Sequence, residues 1–390
     1  MSTPPTPTPL GFRSHVANVG VKDTSLDFSV IASDAPCAAA GLFTRSRFAG
    51  ASVVLSRRHV ADGRARAIVT VSKNANVATG AQGDADSATL ADGVAAALGI
   101  APDEVLVSST GVIGRPLPMD RIGAHLDRLR DDRDAFDLGG LDQVAVAMMT
   151  TDTVPKTASA AVGEATIVGV AKGVGMIEPD MATLLTYFVT DAAVRPDDLR
   201  AVFGRVVAST FNCLSIDTDT STSDTALVLA NGLAGPVDVG DFETALHAVA
   251  LDLVKQIARD GEGATKLIEV TVDHAADAVQ AKRVAKLVVN SPLVKTAVHG
   301  SDPNWGRVAM AIGKAWEYPD IDPDRTSIRF GAIEVYPRTL DDGDLRELEA
   351  VMAADEVTIG VSLGLGDETA TVWGCDLSDG YVRINADYTT

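Results

Sequence analysis

Cysteine is scarce in this chain, histidine is thinly spread, and basic residues are outnumbered. Of 390 residues only three are cysteines, Cys37, Cys213 and Cys375. They stand far apart with no CxxC pair, which argues against a disulfide framework and against a cysteine-based zinc site. The six histidines are scattered without metal-ligand spacing. Lys and Arg total 33 against 53 Asp and Glu, a net charge of −20. So acidic a chain repels phosphate backbones, and nucleic acid is not an expected partner. No stretch approaches the roughly 20 unbroken apolar residues of a membrane-spanning helix. The segment Met1 to Leu10 is rich in Pro and Thr and lacks the basic start and apolar run of a secretory signal. It reads as a disordered tail, and a cytoplasmic location is expected.

What the chain does have is apolar content, 46% of residues, ample for a buried core and more than one ordinary domain needs. Strand-like and helical patterns alternate throughout, which predicts an α/β fold. Ala67 to Val71, Val105 to Ser108, Ala165 to Ala171, Leu184 to Val189 and Leu267 to Val272 read as strands. Ser87 to Leu98, Asp198 to Thr210, Phe242 to Arg259 and Ala275 to Val289 carry apolar residues at helical intervals, with Gly99 a stop for the first. Tyr381 to Ile384 (YVRI) carries a strand signal. A boundary near residues 272–280 divides the chain into a large unit, 1–275, and a smaller C-terminal α/β region, 276–390.

The segment KGVGMIEPDMATLL, Lys172 to Leu185, invites chemistry. Gly173 and Gly175 free the backbone and Pro179 stiffens the approach. A small residue, Ala182, then precedes Thr183 at a loop-to-strand junction. The Thr183 hydroxyl there can attack the preceding carbonyl and exchange the amide for an ester. Hydrolysis leaves Thr183 with a free α-amine, of ordinary pKa about 8, able to serve as base for its own hydroxyl. By itself the pattern more simply describes a threonine that merely starts a strand, which is common.

This segment resembles the cleavage-site signature of the bifunctional ornithine acetyltransferase (glutamate N-acetyltransferase) family of the arginine pathway. STGVIG (Ser109 to Gly114), MTTDT (Met149 to Thr153), SIDTDTSTSDT (Ser215 to Thr225), DGEGATKLIEV (Asp260 to Val270), SPLVKTAVHGSDPNWGR (Ser291 to Arg307) and NADYTT (Asn385 to Thr390) also look like family blocks in family order. The resemblance implies a layered sandwich of two β-layers covered by helices, of the N-terminal-nucleophile kind, with Thr183 on an inner strand. It implies scission between Ala182 and Thr183 and a heterotetramer of two such fragment pairs. It implies ping-pong transfer of an acetyl group from N-acetylornithine to glutamate through an acetyl-Thr183 ester, with no metal or other cofactor.

The same resemblance assigns residues. Thr110 and Gly111 match the family's oxyanion pair, the hydroxyl and amide that hold the charged oxygen of a tetrahedral intermediate. Such donors are worth roughly 3–4 kcal/mol of barrier. Thr150, Lys172, Thr183, Glu262, Asn385 and Thr390 match its substrate contacts. Both substrates carry an α-carboxylate, which a lysine and hydroxyls can grip. Glu262 would hold an ammonium group or orient the Thr183 amine; otherwise it reads as an exposed helix-end glutamate. The acidic SIDTDTSTSDT block lacks the glycine and terminal glutamate of a calcium loop and reads as structural. His299 reads as structural too, because a threonine with its own amine needs no histidine base. The alternatives are a hydrolase or aminopeptidase of the same fold, an acetyltransferase of specialised metabolism with another acceptor, and a binding protein without activity.

Overall fold

The computed structural model describes residues 6–132, 135–136, 140–178 and 184–387. Eight strands form one hydrogen-bonded sheet: β1 (Phe12–Ala17), β2 (Phe28–Phe43), β3 (Arg64–Asn74), β4 (Val105–Val112), β5 (Lys156–Val162), β6 (Ala165–Lys172), β7 (Leu185–Ala193) and β8 (Thr225–Pro236). Their order is β4-β3-β2-β8-β7-β6-β5, with β1 on β2. Besides β1, the long strand β2 serves β3 and β8 in turn. Its first half, Phe28 to Ala32, pairs with β3, and Ala38 to Phe43 pairs with β8, with a register break between Ala32 and Cys37.

That break lets the two halves of the sheet face each other as β-layers. The Thr70 hydroxyl of β3 lies 2.9 Å from the Tyr187 hydroxyl of β7. One apolar cluster joins Ile31, Ile68 and Leu106 to Val168, Tyr187 and Leu229. Alternation sends the other face of each strand outward. Val69 and Val107 meet α2 (Gly80–Leu98) and α3 (Met119–Asp131). Phe188 meets Phe203 and Phe211 edge-on, on and just after α5 (Pro196–Ser209). The helix α4 (Leu141–Met148) packs its apolar side into the cluster between the layers. The result is the expected α/β sandwich of two β-layers covered by helices.

A second, five-stranded sheet follows, in the order β11-β10-β12-β9-β13. It comprises β9 (Leu267–Ala275), β10 (Ser327–Phe330), β11 (Ile333–Tyr336), β12 (Glu356–Ser362) and β13 (Glu368–Cys375). The helix α6 (Val239–Arg259) lies between the sheets, against β5 and β6 on one side and β9 and β13 on the other. Asp238 caps it, accepting from the amides of Gly240 and Asp241. A single apolar cluster runs from Ile167 and Phe188 through Leu253 to Val270 and Val372, so the two sheets share a core. The division at 275/276 falls between β9 and α7 (Ala278–Val289), which pack on each other.

Two expectations are corrected. The described part of the Met1 to Leu10 segment is not a free tail: the Thr6 amide donates to Asp142 at 3.0 Å and the Leu10 amide to Asp191 at 2.8 Å. Tyr381 to Ile384 is not a strand but part of the terminal helix α11 (Asp379–Asp387). The chain leaves β13 and turns into a helix here, and Asn385 Nδ2 reaches back one turn to the carbonyl of Tyr381 at 3.0 Å. Tertiary position here overrides the β-preference of Tyr, Val and Ile.

Candidate active site

The site grows from strand ends. Near the end of β4, the Ser109 hydroxyl donates to the carbonyl of Ala75 at 2.7 Å and lies 2.9 Å from the Ser52 hydroxyl. Thr110 follows, buried. Gly111 has φ +130°, and a Cβ there would collide with the backbone of Lys73 on β3. Only glycine fits so close an approach. The β3–β4 register slips at Lys73 and Asn74, and Lys73 itself takes φ 72°.

In the facing layer the register sets Lys172 at the end of β6 beside Leu185 at the start of β7, and Leu185 beside Thr225 at the start of β8. Lys172 Nζ donates to Thr150 Oγ1 at 3.2 Å. Burial lowers the pKa of Lys172, against the opposing pull of Asp152, with the charge of Lys156 adding to the depression. The loop bearing Thr150 is fastened by Asp152, which accepts from the amides of Thr150 at 3.0 Å and Gly173 at 2.7 Å. Beneath the loop, Lys156 bridges Asp152 at 2.8 Å and Asp260 at 2.6 Å. The Lys156 and Asp152 side chains are 0% exposed and Asp260 is 6% exposed. Breaking so buried an ion pair by removing one partner costs about 3–5 kcal/mol.

Asp260 closes α6, and Glu262 follows two residues later. The Glu262 carboxylate accepts from the Thr151 hydroxyl at 3.0 Å and from Asn385 Nδ2 at 2.8 Å. It passes so near Gly175 that a Cβ there would stand 2.5 Å from Oε2. Glu262 is thus a fixed, half-buried acceptor rather than a helix-end surface residue. The SIDTDTSTSDT block holds the loop after β6: Asp217 accepts from the amides of Met176 at 2.6 Å and Ile177 at 2.8 Å. Lys286 and Asn290 on and beside α7 hold Glu178 at 2.7 and 3.0 Å.

These segments surround one cavity of about 430 Å³. Thr110, Gly111, Thr150, Lys172, Glu262 and Asn385 all line it. That volume suits a small, extended amino-acid derivative. Ala182, Thr183 and Thr390 lie outside the described residues. The described residue that follows Thr183 is Leu184, whose carbonyl accepts from the Thr225 amide at 2.9 Å.

Sequence reasoning missed several contributors. Thr151, Met176, Ser221, Thr222 and Ser223 also line the cavity. Lys22 reaches the carbonyls of Leu26 and Met149, both at 2.7 Å, from beneath the Thr150 loop. Burial lowers its pKa to about 8. The only local signal was the density of Thr and Asp within motifs already singled out; Lys22 and Lys156 gave none. His299 does not line the cavity. Its Nδ1 lies 2.7 Å from Asp376, which also takes the amides of Thr265 and Lys266. Among the described residues no group of His, Cys, Asp or Glu is arranged to hold a metal ion.

The ArgJ family model matches residues 13–390. The chain belongs to the ArgJ family. It is an enzyme, an arginine-biosynthesis acetyltransferase of that family. It is 55% identical over 390 residues to arginine biosynthesis bifunctional protein ArgJ 2 of Nostoc, covering all of both chains. It is 57% identical over 395 residues to glutamate N-acetyltransferase Oat2 of Streptomyces clavuligerus, covering all of this chain and 99% of that one. A crystal structure of the ArgJ protein of Bacillus halodurans is 41% identical and aligns with 51% of this chain and 96% of that chain, at a TM-score of 0.47. Among the described residues no helix is long and apolar enough to cross a membrane.

Proposed function

We propose that this ArgJ-family chain cuts itself between Ala182 and Thr183 and then carries acetyl groups from N-acetylornithine to glutamate on Thr183. The observation that supports this most is the convergence of Thr110, Gly111, Thr150, Lys172, Glu262 and Asn385, from five separate segments, on one cavity. The strand that follows Thr183 in sequence begins beside Lys172 at this same end of its layer.

In the first step the Thr183 hydroxyl oxygen bonds to the Ala182 carbonyl carbon and the amide C–N bond breaks, leaving an ester. Water hydrolyses the ester, so Ala182 ends as a carboxylate and Thr183 as a free amine. In turnover the same oxygen attacks the acetyl carbonyl of N-acetylornithine while the Thr183 amine takes the hydroxyl proton. Thr110 Oγ1 and the Gly111 amide hold the oxyanion. The proton passes to the departing nitrogen, ornithine leaves, and the amine of glutamate then takes the acetyl group from the ester. Lys172 and Thr150 grip the substrate carboxylate, and Glu262, steadied by Asn385, faces the substrate amine or the Thr183 amine. No step needs a cofactor. The two fragments stay associated through their shared core, as a heterotetramer of two pairs in the cytoplasm; Thr390 completes the substrate site.

The test is intact mass spectrometry. The purified protein is expected as two chains, residues 1–182 and 183–390, and brief N-acetylornithine treatment should add one acetyl group to the second. Thr183→Ala should remain one chain and accept no acetyl. A single-chain wild type with full activity would refute the scheme, and an acetyl-enzyme that decays as fast without glutamate as with it would make the protein a hydrolase.

A further inference from the structure

Two of the carboxylates that face Lys172, Asp152 and Glu262, and Asp260 beside them are already engaged by other partners. Asp152 Oδ1 accepts from Lys156 Nζ at 2.8 Å and Gly173 N at 2.7 Å, and Oδ2 accepts from Thr150 N at 3.0 Å. Glu262 is held on one oxygen by Thr151 and on the other by Asn385. Asp260 is taken by Lys156 Nζ and by the amide and hydroxyl of Thr153. Lys172, by contrast, donates to a neutral hydroxyl, and among the described residues it makes no ion pair.

We propose that Lys156 is a positioning residue for substrate binding: by occupying Asp152 and Asp260 it keeps the Lys172 ammonium from pairing with protein and so leaves it for a substrate carboxylate. This rests on the function proposed above, which gives Lys172 a carboxylate to bind. Lys156 acts without touching substrate, because it is wholly buried and outside the cavity lining. The two aspartates it joins belong to the loop of Thr150 and the turn of Glu262. The same bridge therefore sets the spacing of the two sides of the cavity.

The charges facing Lys172 come from every neighbouring element. Asp152 stands before β5, Lys156 on it, Asp224 before β8, Glu262 after α6, and Lys22 after β1. Of these, Lys156 and Lys22 disfavour the protonated form of Lys172 and the three carboxylates favour it. Without Lys156, Asp152 loses its ion-pair partner and the Lys156 repulsion on Lys172 disappears. Lys172 then holds its proton to higher pH while offering it less readily to substrate.

The test uses the double variant Lys156→Met with Asp260→Asn. It removes one charge of each sign, so the buried cluster keeps its net charge and the chain is not left with two unpaired aspartates. Asp260→Asn alone is the control. KM for N-acetylornithine should rise roughly tenfold or more while kcat changes by less than about threefold. The alkaline limb of kcat/KM should move up by about one pH unit. A readout independent of turnover is the pH dependence of Lys172 amine labelling by trace acetic anhydride, followed by peptide mass spectrometry; its midpoint should move up equally. A folded, cleaved double variant with unchanged KM and an unmoved labelling midpoint would overturn the proposal. If the wild type transfers no acetyl group, the function falls, while the labelling midpoint still decides whether Lys156 governs Lys172.

Discussion

Asn385 Nδ2 lies 2.8 Å from Glu262 Oε2, although 123 residues separate them in the chain. The terminal helix α11 thereby closes one side of the cavity through a single amide. Gly263, at φ +70°, lets the turn after Glu262 press against Gly380 and Tyr381, where a Cβ would stand 2.6 Å from the Gly380 carbonyl carbon. Asn385→Ala should therefore leave self-cleavage intact and raise KM for N-acetylornithine by about tenfold, the loss of one hydrogen bond to a charged group. Steady-state kinetics on the cleaved protein checks this. An unchanged KM would mean that α11 only covers the site.

Thr110 and Gly111 should fail differently. Thr110→Ala removes a donor from a rigid strand end, and turnover should fall by about 10²–10³ with little change in melting temperature. Gly111→Ala places a methyl against the Lys73 backbone at a φ that L-residues rarely adopt. It should lose activity and fold stability together, by more than about 1 kcal/mol. Denaturant titration beside initial-rate assays separates the two.

Acid loss of activity should belong to the Thr183 amine, with an ordinary pKa of about 8, and not to a histidine. His299 bonds Asp376 outside the cavity. His299→Ala should keep the acidic limb of the pH–rate profile where it was, with cleavage unimpaired. Disappearance of that limb in a folded, cleaved variant would make His299 the base.

Lys22 supplies a prediction about stability. Its folded pKa is lowered to about 8, by burial first, from an ordinary 10.5. Between those values the unfolded chain binds the extra proton, so wild-type stability contributed by this group rises with pH across pH 8 to 10.5. Below pH 8 both states are protonated and the contribution is flat. The stability of the wild type relative to Lys22→Met, from urea midpoints, should accordingly increase from pH 8 upward. A flat or falling difference would show that the site does not desolvate Lys22.

Much of the scaffold was legible in local patterning. The strand reading of Ala165 to Ala171 and the helix reading of Phe242 to Arg259 rest on periodicity, which burial on one side enforces. Gly99 ends α2 at φ 68°, as a residue without a Cβ can. Tyr381 to Ile384 carries a strand signal, and nothing local records that this segment packs as a helix against the turn of Glu262 and Gly263.

The sequence by itself determined which short stretches carry chemistry, since Gly, Thr and acid spacing in STGVIG, MTTDT and DGEGATK is a local property, and it determined family membership through their order. Only the tertiary structure decided how they meet. The break in β2 folds one sheet into two facing layers, and this brings Thr110 from one layer to Lys172 from the other. It also decided that Lys156 is buried between Asp152 and Asp260, 104 residues apart from the second of them. A lone lysine after a proline has no sequence signature for that role. Burial, which makes its charge pair strong and its removal costly, exists only once α6 has packed between the two sheets.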